Sequence, residues 1–462
     1  MAFVSECPLI KAERILVIMP NRLGDAVMAT PFLRSLRGIY PRAHIAALGR
    51  ELVLPVLAGL PFVDRILCLP IEPEGEKRKV GQIATTLKSG KYNLAVLLPN
   101  SFRSALLAWR AGIPRRLGYR RDGRGFLLTD YLRPIPLSGD EIDLRLARAA
   151  ARKLIAAGAV PESVRLERAG SGGGHPDPDH QRDRGWRLRP GDPAPPGPLP
   201  MAGRTHTGSH TDSYDHPIRV RAWRRLAYRR NFQPIPAIDY YLALAGRLGG
   251  ATDDRRMELG ITAAEQSEAT AALEEFGVLG RSFMLLFPGA NFGSSKCWPP
   301  EFFARVAAAV ADPAGPSAAP VLIAAAPAET PLVNAVLRSL SELPGGRALR
   351  NRVRSLAAFR EGRGVGLGAI KELVRRASLV LCNDTGPRHF AAAFATPLVT
   401  LFGPTDPRWA QTFHAGEKQL WIQVPCGPCQ LARCPVDHRC LRGLAPPLVL
   451  EAIRSLWRDT AP

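Results

Sequence analysis

The sequence predicts an α/β protein of two Rossmann-like lobes with a cleft between them, and three observations carry that prediction. Short apolar runs alternate with helix-length amphipathic stretches from residue 14 to about 111, and the same alternation starts afresh at residue 283. Each series opens with a strand-sized run ending in a polar, glycine-bearing loop. Between the two lies a long tract without apolar periodicity. Strands alternating with helices imply parallel sheets covered on both faces, whose ligands lie outside the carboxyl ends of the strands.

In the first series RILVIM, at 14–19, is a buried-strand run. The loop 20–25 follows, then a helix that sets Val27, Leu33 and Leu36 on one face. Strands are expected at 44–48, 65–69 and 94–98, the last ending at Pro99-Asn100 before a helix over 101–111. The pattern fails between 137 and 230, where a basic amphipathic stretch (141–157) gives way to a tract rich in Gly, Pro, Asp, His and Arg (170–216). That composition buries too little apolar surface to offset chain entropy, so a largely disordered insertion is expected. Its end, 219–230, is densely cationic, with Trp223 and Tyr228 interleaved, and reads either as a solvated segment or as a membrane or nucleic-acid contact. The flanks YLRPIP and NFQPIPAIDYY look like one interrupted segment.

Helices at 237–248 and 263–276 restore order. The second series has strands at 283–287, 321–325, 379–382 and 398–402, and helices at 299–310, 332–340, 368–377 and 387–394. A last helix spans 448–458. The expected division is an N-terminal lobe over 1–250 holding the insertion, a C-terminal lobe over 251–447, and a terminal helical segment over 448–462.

The 462-residue chain has a net charge of +21 and a pI near 10.3, which favours anionic partners. Arginine is spread along the chain, so charge alone does not choose among nucleic acid, an acidic membrane and phosphorylated substrates; no nucleic-acid reader motif is present. The first ten residues contain Glu6 and Pro8 and lack the form of a secretory signal. No run approaches the roughly 18 apolar residues of a membrane span. A cytoplasmic protein is expected, at most peripheral on a membrane face, and its eight cysteines do not suggest a disulfide framework.

The chemistry concentrates at strand ends. After the strand at 379–382 the chain turns through Asn383, Asp384, Thr385 and Gly386, and Pro387 is expected to open a helix. Free N–H groups of Arg388 and His389 at that helix start, with the Arg388 cation, would favour an anion. An ordinary capped helix reads the same way. A carboxylate repels a bound diphosphate, so Asp384 should turn toward hydroxyls or hold the turn. The loop PGANFGSSKCWPP supplies small residues, including Ser294 and Ser295, and then Lys296, a nest-like phosphate site without P-loop spacing. Gly403-Pro404-Thr405 adds a polar loop at the same edge. In the first lobe Gly24-Asp25 follows the first strand, where Asp25 reads either as a helix N-cap or as a general base.

RILVIMPNRLGDAVMATPFLRSLRGIYP, LPNSFRSALLAWRAGIPRRLGY, PGANFGSSKCWP and NDTGPRHFAAAFATPLVTLFGPTDP, in this order, resemble the successive motifs of glycosyltransferase family 9. The likeness is strongest to ADP-heptose:lipopolysaccharide heptosyltransferases of the heptosyltransferase II branch. It implies a GT-B fold and inverting, metal-independent transfer of heptose from ADP-heptose to the lipopolysaccharide inner core, with no cofactor. By motif, Asp25 becomes the base, and Lys296 binds the donor phosphates and assists the leaving ADP. Ser294, Ser295, Asp384, Thr385, Gly386 and His389 join it on the donor side, while Gly24, Asn100, Ser101 and Arg103 line the acceptor side. Where the family carries a glycine and acidic residues toward the nucleotide, this chain reads Ala326-Pro327-Ala328-Glu329, leaving Glu329 for the ribose.

Cys426, Cys429, Cys434 and Cys440, with His438 nearby, have metal-ligand density and read either as a structural zinc knuckle or as reduced, unligated thiols. Two other functions fit parts of the sequence: a nucleotide-sugar-binding protein of the same fold without transferase activity, and a basic nucleic-acid-binding protein. No nucleic-acid partner is expected.

Overall fold

The computed structural model describes residues 10–69, 80–136, 148, 233–315 and 317–457. The expected insertion, its amphipathic stretch and its cationic end therefore lie outside the described residues, Arg148 excepted.

Two six-stranded sheets form. The first comprises β1 (Arg14–Ile18), β2 (His44–Arg50), β3 (Arg65–Leu69), β4 (Leu94–Leu97), β5 (Arg115–Tyr119) and β6 (Asp130–Leu132), in the order β3-β2-β1-β4-β5-β6. The second comprises β7 (Met284–Phe287), β8 (Val321–Ile323), β9 (Val353–Ser355), β10 (Leu379–Asn383), β11 (Leu398–Leu401) and β12 (Glu417–Leu420), in the order β12-β11-β10-β7-β8-β9. Every pairing is parallel. Counted from its own first strand, each sheet has the doubly wound Rossmann order. Helices cover both faces, which is why the central strands are continuous apolar runs, with Ile15, Leu16 and Val17 all fully buried. Four strands escaped the periodicity: β5 starts with two arginines, β6 and β9 have three residues each, and the outermost β12 reads EKQL.

The lobes meet through a continuous core containing Phe32, Tyr241, Phe276, Phe283 and Phe390. Buried Lys371, in the helix Leu367–Arg376, donates to the carbonyls of Pro55 (2.6 Å) and Gly260 (2.9 Å) and pairs with Glu265 at 2.9 Å, tying the second lobe to the first. The last helix, Pro446–Leu456, packs Val449, Ala452 and Ile453 into the second lobe's core, so it is an integral part of that lobe.

The switch points, where strand order reverses, fall between β1 and β4 in one lobe and between β7 and β10 in the other. The loops after these four strands carry most of the residues singled out above.

The chain leaves and re-enters the first lobe at one place, because the Gln233 N–H donates to the Ile135 carbonyl at 3.0 Å.

Candidate active site

Asp25 sits in the first turn of the helix Leu23–Met28. The N-cap of that helix is Arg22, so the capping reading of Asp25 is corrected: it is the third helical residue. This helix packs directly on the second lobe's helix Gly386–Ala393. A Cβ on Gly24 would lie 2.5 Å from His389 Cδ2, and one on Gly386 would lie 2.8 Å from Leu23 Cδ2. Both glycines are there to let the lobes touch. Gly386 was expected to admit a ligand, and its Cβ position is instead filled by Leu23. Asp25 is half-buried at this junction and accepts no hydrogen bond among the described residues. Burial raises its pKa; Arg22 lowers it, Asp384 of the other lobe raises it and Lys296 lowers it. Asp25 thus feels Asp384 and Lys296 across the cleft.

On the second lobe, Lys296 Nζ lies 2.5 Å from Asp384 Oδ2 and 3.1 Å from the Asp384 carbonyl. Thr405 Oγ1 donates to the same carboxylate oxygen at 2.8 Å, and Arg388 approaches Oδ1 at 3.7 Å. Burial alone would raise the Asp384 pKa; Lys296, Arg388 and Thr405 together hold it below the usual carboxylate range. The carboxylate therefore holds Lys296 in place at the helix start. Asn383, expected as the first residue of the turn, is instead the last residue of β10 and fixes the geometry from beneath. Its Nδ2 donates to the Pro288 carbonyl at 2.6 Å and its Oδ1 accepts from the Trp298 N–H at 3.2 Å, bracketing the Lys296 loop.

Arg388 is corrected. It is fully buried, with Nε 2.5 Å from Glu417 Oε1 and Nη1 2.6 Å from the Ala410 carbonyl, and its own N–H donates to Thr385 O at 3.2 Å. It pins β12 rather than facing an anion. The helix begins at Gly386 with Thr385 as N-cap, so Pro387 is its second residue, not its first. His389 is 4 % exposed, its Nδ1 has no hydrogen-bond partner among the described residues, and burial chiefly lowers its pKa to about 3, so the ring is neutral.

Ser294 is exposed, but Ser295 is buried, with Oγ donating to Leu431 O at 2.5 Å and N–H to Ala432 O at 3.2 Å. It ties the Lys296 loop to the cysteine-bearing segment. Gly293 has φ +148°, and a Cβ there would lie 2.2 Å from Ala432 O. Gly293→Ala should push the loop off this brace and, strained both in φ and against backbone, lower Tm by several degrees, as thermal unfolding would show. Glu329 caps its own turn through the Ala326 N–H (3.0 Å) and rests on Gly289, where a Cβ would lie 2.1 Å from its Cδ. It thus joins the ends of β7 and β8.

Cys426, Cys429, Cys434 and Cys440 line one small cavity of about 20 Å³ beside Ser295. No three His, Cys, Asp or Glu side chains are grouped as a metal site among the described residues, so the zinc reading finds no support in their placement. Burial, then the neighbouring cysteines, pushes the Cys440 thiol up to about 12.

At the end of β4, Ser101 is the N-cap of the helix Phe102–Arg110, accepting from the Ser104 N–H at 3.3 Å. Asn100 Oδ1 accepts from the Tyr240 hydroxyl at 3.0 Å and from Arg124 Nη2 at 3.3 Å. Arg124, unflagged by the sequence reading, is fully buried and also donates to the carbonyls of Pro99, Ser101 (3.3 Å) and Tyr119 (3.0 Å). It sets the shape of this loop. Ser101 and exposed Arg103 line a cavity of about 280 Å³ with Asn21, Arg50 and Pro99.

Two Rossmann lobes whose switch points converge on a carboxylate and a lysine–carboxylate pair define a GT-B protein built to work on a ligand held between them. The family model described as glycosyltransferase family 9 (heptosyltransferase) matches residues 80–155 and 213–439, and the chain belongs to that family. Lipopolysaccharide heptosyltransferase 2 of Escherichia coli is 38 % identical over 121 residues, 25 % of this chain and 34 % of that protein. The chain thus matches about a third of that relative's length. Lipooligosaccharide heptosyltransferase 2 of Haemophilus influenzae is 23 % identical over 461 residues, 96 % of this chain and 99 % of that protein. The solved structure of the E. coli ADP-heptose lipopolysaccharide heptosyltransferase II matches with a TM-score of 0.57 at 22 % identity, over 96 % of this chain and 98 % of that one.

Proposed function

We propose that this chain transfers heptose from ADP-heptose to the lipopolysaccharide inner core with inversion at the anomeric carbon. The observation that carries the reading is the meeting of Asp25, from one switch point, with Lys296 and Asp384, from the other, across the lobe junction. The donor lies in the second lobe, over the loops after β7 and β10, and the acceptor in the first, at the 280 Å³ cavity.

In the reaction the acceptor hydroxyl gives its proton to the Asp25 carboxylate as its oxygen bonds to the anomeric carbon. The bond from that carbon to the ADP oxygen breaks on the opposite face, and the electron pair leaves with the diphosphate. Lys296, held at the helix start by Asp384, meets the charge growing on that leaving group, so no cofactor is called for. Glu329, after β8, would serve the ribose with the carboxylate oxygen that the Ala326 N–H leaves free. Thr385 adds its hydroxyl at the same helix start, where it makes no capping bond of its own.

No helix among the described residues is long and apolar enough to cross a membrane. The acceptor's lipid anchor would place the enzyme peripherally at the cytoplasmic face of the inner membrane.

Thermal-shift measurements with ADP-heptose, GDP-sugars and UDP-sugars, followed by product analysis with a core saccharide, test the reading. Stabilisation by ADP-heptose and formation of a heptosylated product are expected. Equal stabilisation by all three donor classes, or stabilisation without product, would turn the assignment to a nucleotide-sugar-binding protein.

A further inference from the structure

The first lobe carries aromatic side chains in water that the reaction does not use. Phe126 is 76 % exposed, Trp109 52 %, Phe102 42 % and Tyr131 38 %. Water favours burying such side chains, so a group of them left outside marks a surface that is covered in use.

They are not scattered. The rings of Phe102 and Phe126 lie 6.0 Å apart although they come from different elements, the helix after β4 and the turn Gly125–Leu127 after β5. Trp109 is seven residues beyond Phe102 on the same helix, hence on the same side and roughly 10 Å along the axis. The Arg120 side chain lies against Gly125, where a Cβ would meet its Nε at 2.8 Å, and its guanidinium sits 5.2 Å over the Tyr131 ring. Arg133 also hydrogen-bonds Tyr131. Arg103 stands exposed beside Phe102. Of the neighbouring acids, Asp130 is buried and engaged by Arg115 at 2.7 Å, leaving Asp122 as the exposed one within the turn.

We propose that this aromatic and arginine-rich face of the first lobe docks on an anionic lipid bilayer. Aromatic rings settle at the level between headgroups and acyl chains, and arginines at that depth meet lipid phosphates; the face carries both, with a cationic excess that complements an acidic leaflet. The choice rests on the proposed acceptor being lipid-anchored, and it explains a placement. Arg103 and Ser101 belong both to this neighbourhood and to the lining of the acceptor cavity, so a bilayer against Phe102 and Phe126 presents a membrane-held saccharide at the cavity mouth.

Sedimentation of the full chain with vesicles of phosphatidylcholine alone, or mixed with phosphatidylglycerol, tests this. The wild-type chain should partition about tenfold more strongly to the anionic vesicles, and the double variant Phe126→Ser/Trp109→Ser should lose about tenfold of that partition. Both positions are more than half exposed, so Tm should not move. The double variant should also keep wild-type transfer to a delipidated, water-soluble acceptor while losing transfer to a vesicle-held one. Equal partition of the two proteins would overturn the proposal. So would a wild-type dimer in solution that the double variant abolishes, which would make the face a contact between copies of this chain. If the partition behaves as expected but neither protein acts on the soluble acceptor, docking stands and the transferase reading falls.

Discussion

Asp25→Asn is expected to lower kcat for transfer by about three orders of magnitude while leaving the Kd for ADP-heptose within about twofold of wild type. The carboxylate belongs to the first lobe and the donor loops to the second, so amidation removes the proton acceptor without touching a donor contact. The pKa supplies two further signatures. Burial raises the Asp25 pKa, so the base is available only above the usual carboxylate range, and kcat/KM should rise with pH through that raised value. The Asn variant's residual rate should lack this acidic limb. The stability sign is opposite. A carboxyl whose folded-state pKa is raised binds more protons folded than unfolded, so its ionisation costs stability as pH climbs from the unfolded to the folded value. Asp25→Asn removes that cost, and its Tm near neutral pH should equal or exceed that of wild type. A variant that turned over normally would remove Asp25 from the mechanism. One that lost activity together with Tm would show it to be a folding residue.

Asp25 also shows where sequence reasoning reached and where it stopped. Buried strands such as RILVI and LVLCN announce themselves because a doubly covered strand must be apolar throughout. The loops after them were legible as sites because strand ends at a switch point are where a Rossmann lobe binds ligands. The partner of each polar side chain was not legible. Arg388 and Lys296 are both cations beside the expected phosphate site, yet one is consumed by Glu417, 29 residues away in the least strand-like strand of the sheet, while the other is held at the helix start by Asp384. Gly24 and Gly386 looked like ligand glycines, and their neighbours proved to be side chains of the opposite lobe. Arg124 lay unnoticed among many arginines because its burial depends on how the turn after β5 folds back on the loop after β4. Motif spacing reports which strand end a residue occupies; tertiary pairing decides which way its side chain is spent. Asn383 carries a further clue, as a polar residue closing a strand otherwise made of apolar ones.

The second large effect concerns the pair at the donor side. Lys296→Met should abolish detectable transfer and also destabilise the chain by about 3 kcal/mol, because removing one member of a buried ion pair strands the other. The stranded group is Asp384, 8 % exposed, which would keep Thr405 at 2.8 Å and Arg388 at 3.7 Å but lose its strongest attraction. The pH dependence follows from the direction of the shift. In wild type the Asp384 pKa is held below its ordinary value, so its contribution to stability is present above the unfolded pKa and is lost as pH falls through the depressed one. In Lys296→Met, burial dominates and the ionised carboxylate is a burden; the deficit should be greatest near neutral pH and shrink in acid as Asp384 takes up a proton. Adding Asp384→Asn to Lys296→Met should therefore recover most of the lost Tm at pH 7, since a neutral pair of similar shape carries no unpaired charge. Transfer should remain absent, because what the leaving diphosphate requires is the ammonium itself. Recovery of stability without activity would separate the two tasks of Lys296. Recovery of both would mean that the lysine only holds the turn, and the charge on the leaving group would have to be met elsewhere in the cleft.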